Sequence, residues 1–154
     1  MTRPKPISNS SSAQALSRFA NRAQRALSLR GDVNISITSS SEMRSLNRRF
    51  RGKNKATDVL SFPSQSPGVA GDIAISLEIA ADSAAELGYD LATEVKILIL
   101  HGMLHLAGYD HEIDDGEMRA REASLRQKFK LPGGLIERAH SRSVKPTKRG
   151  GRRA

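Results

Sequence analysis

A chain of 154 residues has the length of one domain with a real core, and the absence of cysteine excludes disulfides and cysteine-ligated zinc or iron–sulfur centres. The formal charge of +9 sits in the ends: Arg3 and Lys5 at the start, and Arg138, Arg142, Lys145, Lys148, Arg149, Arg152 and Arg153 in an acid-free tail, flank a middle that is neutral overall. No secretory h-region follows Met1 and no apolar run nears membrane-spanning length, so a soluble cytoplasmic protein is expected.

Residues 1–12, rich in serine and proline, read as a disordered segment that ends where Ser11 or Ser12 caps a helix. Ala15, Leu16, Phe19, Ala23 and Leu27 recur at helical spacing and predict an amphipathic helix from Ala13 to about Leu29, with Arg18, Arg22 and Arg25 on its wet side. Val33, Ile35 and Ile37 alternate with polar residues, as in a half-buried strand. The serines at 39–41 cap a short helix from Glu42 to about Arg49.

Arg48, Arg49, Arg51, Lys53 and Lys55 crowd around Phe50 in what reads as a basic loop, followed by a strand from Thr57 that stops at Pro63. Both a solvated loop and a phosphate clamp fit those five cations. A loop at 64–70 precedes a strand from Gly71 to Ser76, then a helix from about Leu77 to Leu87 closed by Gly88. Asp90 can cap the next helix, which is apolar nearly all round and therefore expected in the core. The acidic turn from Glu112 to Glu117 reads first as the start of a helix from about Asp115 to Lys128, and second as a partner for the histidines before it. Leu131-Pro132-Gly133-Gly134 ends the domain, and 132–154 read as a flexible basic tail that either binds polyanions or merely solubilises.

Three of the four histidines lie between residues 101 and 111. On a helix, His101 and His105 stand about 40° apart round the axis, so both imidazoles leave one face a turn apart. Gly108 falls where a left-handed residue can end the helix and return the chain, delivering His111 as a third nitrogen donor. Three neutral imidazoles suit one Zn²⁺ and leave a fourth position for water, as catalytic sites do. Closing the site structurally would require a carboxylate such as Asp110, or the distant His140, which is not expected to be a ligand. The spacing is that of metzincin proteases, but Gly102 stands where those enzymes have their general-base glutamate, which argues against a peptidase. There is no Walker loop or dinucleotide fingerprint, and the four Phe and two Tyr are scattered, so RNA binding is expected to rest on charge and metal.

With His101-Gly-x-x-His105-Leu-x-Gly108-Tyr109-Asp110-His111, Arg51-Gly-Lys, Thr57-Asp-Val-Leu-Ser-Phe-Pro63 and Gly71-Asp-Ile-x-Ile-Ser76 in this order, the sequence resembles the bacterial YbeY family over roughly residues 13–131. The resemblance implies an α+β fold of one domain, a small mixed sheet flanked by helices, with the zinc on the buried central helix. It implies a zinc-dependent, single-strand-specific endoribonuclease that matures the 3′ end of small-subunit ribosomal RNA and takes part in ribosome quality control. By likeness, His101, His105 and His111 are metal ligands, and Arg51 is an arginine of the cleft needed for activity. Arg51 and His101 are then the residues expected to carry catalysis, with Arg48, Arg49, Lys53 and Lys55 joining Arg51 in binding the RNA. The alternatives are a non-catalytic ribosome-assembly factor with a structural zinc and, behind it, a zinc peptidase.

Overall fold

The computed structural model describes residues 10–132. The expectations for residues 1–9 and for the chain from 133 on, His140 included, fall outside that range. The elements are α1 (Ser10–Ala26), β1 (Asp32–Thr38), α2 (Ser40–Arg51), β2 (Val59–Pro63), β3 (Val69–Ser76), α3 (Leu77–Leu87), α4 (Leu91–Leu106) and α5 (Glu117–Lys128). The three strands form one mixed sheet in the order β1-β3-β2, with β1 parallel and β2 antiparallel to β3. The α+β class and the small mixed sheet are therefore as expected.

Both faces of the sheet are covered. On one side Ile73 and Ile75 of β3 join the main core formed with α1, α4 and α5, where Val33, Ile35 and Ile37 of β1 also pack. On the other, Leu60, Phe62 and Ala74 meet Met43 and Leu46 of α2 in a smaller core. The central strand is thus buried on both faces in its second half, which explains its run of Ile, Ala and Ile rather than an alternation. Helix α4 packs against α1, α3 and α5 and against β2 and β3, so its near-uniform apolarity matches burial on every side. Asp90 caps it, accepting from the Thr93 N–H at 3.1 Å.

Several boundaries differ from the sequence expectation, and in α1 and α2 the reason is local. Helix α1 begins at Ser10, so Ser11 and Ser12 lie inside its first turn rather than capping it. It stops at Ala26 because Ser28 turns to φ 52° and the Gln24 side-chain amide donates to the carbonyls of Leu29 and Gly31. Helix α2 runs through Arg48, Arg49, Phe50 and Arg51, which the sequence suggested were mostly loop; Gly52, at φ 72°, is the first residue able to adopt the left-handed cap. Strand β3 begins at Val69 rather than Gly71, and α5 begins after Gly116 rather than at Asp115.

Gly71 has a packing role. At φ 153°, an added Cβ would lie 2.5 Å from the Phe62 carbonyl oxygen and 2.7 Å from Leu106 Cδ2, so only glycine lets β2, β3 and the end of α4 come together. Gly71→Ala should destabilise the fold by about 2–3 kcal/mol, seen as a lower denaturant midpoint at unchanged m-value.

Candidate metal centre

The last two turns of α4 carry His101 and His105, and a turn beyond them brings in His111. The Gly108 N–H bonds the His105 carbonyl and the Tyr109 N–H reaches back to the Leu104 carbonyl, both at 3.0 Å, with Gly108 at φ 102°. This is the glycine-dependent helix stop expected from the sequence. Asp110 then fixes the reversal: its Oδ1 accepts from the Glu112 N–H at 3.0 Å, and its carbonyl accepts from Ile113 and Asp114. Asp110 is thus used in the turn.

The result is convergence. One ring nitrogen from each of His101, His105 and His111 lies within 4.8 Å of the other two. The ring centroids are 4.9 Å apart for His101 and His105, and 5.9 and 6.0 Å from those two to His111. Tetrahedral zinc with Zn–N distances of about 2.0–2.1 Å needs nitrogens about 3.3 Å apart, within a small inward movement of these rings.

Protonation favours the same use. His105 Nδ1 stands 3.0 Å from the Tyr109 carbonyl oxygen, which only accepts, so the proton belongs on Nδ1 and the Nε2 lone pair is free. Burial first, and then the charges of His101 and His111, hold the His105 pKa below the usual histidine value, so the imidazole is neutral near pH 7. His101, 7% exposed, sets its Nδ1 at 3.4 Å from Oε2 of Glu122, itself 1% exposed on α5. A carboxylate behind a ligating imidazole orients the ring and raises its basicity. The donor set, the neutral His105 and the outer partners of His101 and His105 fit a divalent zinc ion.

The histidines open onto a cleft of about 460 Å³. Its other wall is segment 57–61 with Pro63, and Arg51 at the end of α2; Asp110 and Glu112 complete the rim on the histidine side. Of the five cations singled out in the sequence, Arg51 alone lines this cleft, while Arg48, Arg49, Lys53 and Lys55 do not. The chain that follows α2 is tied down by the buried Asn47, whose amide donates to the Lys55 carbonyl at 2.9 Å, and by Arg44 Nε, which donates to Asn54 Oδ1 at 3.0 Å.

Gly102 faces the sheet. A Cβ there would sit 3.0 Å from two carbons of Ile73 and 3.1 Å from Ser61 Oγ, and Ser61 donates to the Gly102 carbonyl at 3.2 Å. A side chain at this position would have to push Ile73 and Ser61 aside. The acidic turn serves helix initiation: Asp114 accepts from the N–H groups of Gly116 and Met118, and Glu117 from that of Asp115. The carboxylate behind the histidines comes instead from Glu122, which the sequence reading missed. Its signal was a charge at the spacing of Met118 and Leu125, both buried.

Glu122→Ala should weaken zinc binding about 10- to 100-fold, measured by competition with a chromophoric chelator, while Glu122→Gln, which still accepts a hydrogen bond, should lose less.

Among the described residues no helix is long and apolar enough to cross a membrane. The family model for endoribonuclease YbeY matches residues 3–130. The endoribonuclease YbeY of Koribacter versatilis is 58% identical over 142 residues, covering 92% of this chain and 91% of the relative. That of Solibacter usitatus is 50% identical over 127 residues, covering 82% and 86%. The solution structure of TM1509 from Thermotoga maritima superposes with a TM-score of 0.57 at 28% identity and covers 94% of both chains. Matches that run through the sheet, the central helix and all three histidines show that the chain belongs to the YbeY family.

Proposed function

We propose that this protein is a zinc-dependent endoribonuclease that cuts single-stranded RNA, acting on the 3′ end of small-subunit ribosomal RNA and in ribosome quality control. The observation that carries the reading is the convergence of three imidazole nitrogens in a cleft that Arg51 also lines. The relatives' name, endoribonuclease, gives the reaction class.

His101, His105 and His111 would hold the metal, His101 and His105 through the nitrogens left free by their bonds to Glu122 and the Tyr109 carbonyl. When bound, zinc supplies a Lewis acid for a phosphoryl oxygen and lowers the pKa of a coordinated water. Arg51 receives the phosphate from the other side; its planar donors match two phosphoryl oxygens and stabilise the charge that grows as phosphorus becomes five-coordinate. Position 102 provides no base, and the carboxylates that line the cleft are Asp58, Asp110 and Glu112. The absence of a glutamate beside the first histidine separates this site from that of a peptidase.

Arg48, Arg49, Lys53 and Lys55 serve the flanking phosphates outside the cleft, and the acid-free basic tail adds counter-charge for the same polyanion. Affinity for RNA should therefore fall steeply with salt.

The test is cleavage of a single-stranded RNA carrying an unprocessed small-subunit 3′ end. His105→Ala should lose both zinc and cleavage. Arg51→Ala should keep the fold and a full zinc complement but cut about 10²- to 10³-fold more slowly. Equal cleavage by zinc-loaded wild type and Arg51→Ala would overturn the assignment. Zinc loading without cleavage by the wild type would favour an assembly factor with a structural metal.

A further inference from the structure

Among the described residues, two large hydrophobic side chains are exposed: Phe50, at 58%, and Ile113, at 82%. Each is one residue from the cleft, Phe50 next to Arg51 and Ile113 next to Glu112. A single exposed aliphatic side chain is ordinary, but an aromatic ring held open beside a site invites a question about what covers it.

The surroundings of Phe50 give the answer. Its ring meets that of Phe62 at 5.3 Å between centroids and an interplanar angle of 60°, and Phe62 stands on β2 between the cleft-lining Ser61 and Pro63. The Arg49 guanidinium carbon lies over the Phe50 ring, 5.3 Å from its centroid. Arg48, Arg49, Arg51, Lys53 and Lys55 share this stretch, and no acid lies between Arg48 and Lys55. An apolar protein surface would be a poor match for so much positive charge. A ligand with a flat π-face on an anionic backbone matches both features, and an unpaired nucleobase is that ligand. A duplex keeps its bases stacked on one another, so a platform here discriminates in favour of single strands.

We propose that Phe50, backed by Phe62 and flanked by Arg49, is a stacking platform for an unpaired base of the strand whose phosphate enters the cleft. The proposal rests on the ribonuclease reading and amends the sequence expectation that RNA would be held by charge and metal alone. It also gives Arg49 a role at the ring rather than inside the cleft.

The probe is a 2′-O-methyl single-stranded oligonucleotide of the substrate sequence, with an abasic counterpart of equal length and charge, titrated against zinc-loaded protein at fixed salt. Phe50→Ala should bind the base-bearing strand about fivefold or more weakly and the abasic strand as the wild type does. Phe50→Tyr should retain affinity. The chain has no tryptophan, so Phe50→Trp places a sole indole at the platform. Its emission should be quenched by the base-bearing strand and not by the abasic one. Equal effects of Phe50→Ala on both strands, or none on either, would overturn the proposal. Wild-type cleavage assayed alongside separates the cases: a wild type that cuts RNA with an indifferent Phe50 loses the platform alone, whereas a wild type that neither binds nor cuts loses both readings.

Discussion

Helix α4 lies against the β2–β3 pair at a distance that ordinary side chains would prevent, because a glycine on each partner leaves out the carbon that would clash. Gly102 faces Ile73 and Ser61 from the helix, and Gly71 faces Leu106 and the Phe62 carbonyl from the sheet. This close approach decides which way the helix is turned. With the Gly102 edge pressed into the sheet and bonded to Ser61, His101 and His105 open over the end of β2, and the cleft is what remains between them and segment 57–63. The same contact crowds position 102, where a protease would carry its base. One steric constraint thus sets how the site opens.

Electrostatics then prepares the imidazoles. Burial, and His101 and His111 beside it, disfavour the charged form of His105, and a neutral imidazole is the form that binds a metal. The Tyr109 carbonyl and Glu122 occupy the far nitrogens of His105 and His101, so the rings need little ordering when the ion arrives. The turn that supplies Tyr109 also carries His111, and Asp110 locks it through hydrogen bonds to the backbone N–H groups that follow. The helix stop, the acceptor for His105 and the third histidine come from the same few residues.

Local patterns were legible in the sequence; relations between distant segments were not. Helices α3 and α4 were foreseen with their ends because Gly88 and Asp90 are strong punctuation, and the histidine triad followed from helical spacing and Gly108. The end of α2 was misread because a run of cations looks like loop, while the backbone needs only a residue that accepts positive φ, and Gly52 is the first. Glu122 escaped notice because its role depends on α5 folding back onto α4, 21 residues after His101. Phe50 gave no sign in the sequence that it would stay exposed, since it falls two helical turns after Met43, which enters the smaller core.

The measurement that bears most directly on this account is zinc K-edge X-ray absorption of the zinc-loaded protein, with and without an added exogenous ligand such as azide. The account predicts three imidazole nitrogens at about 2.0–2.1 Å and a fourth, non-protein ligand that the added anion displaces. A coordination sphere closed by a fourth protein side chain and indifferent to the anion would contradict it.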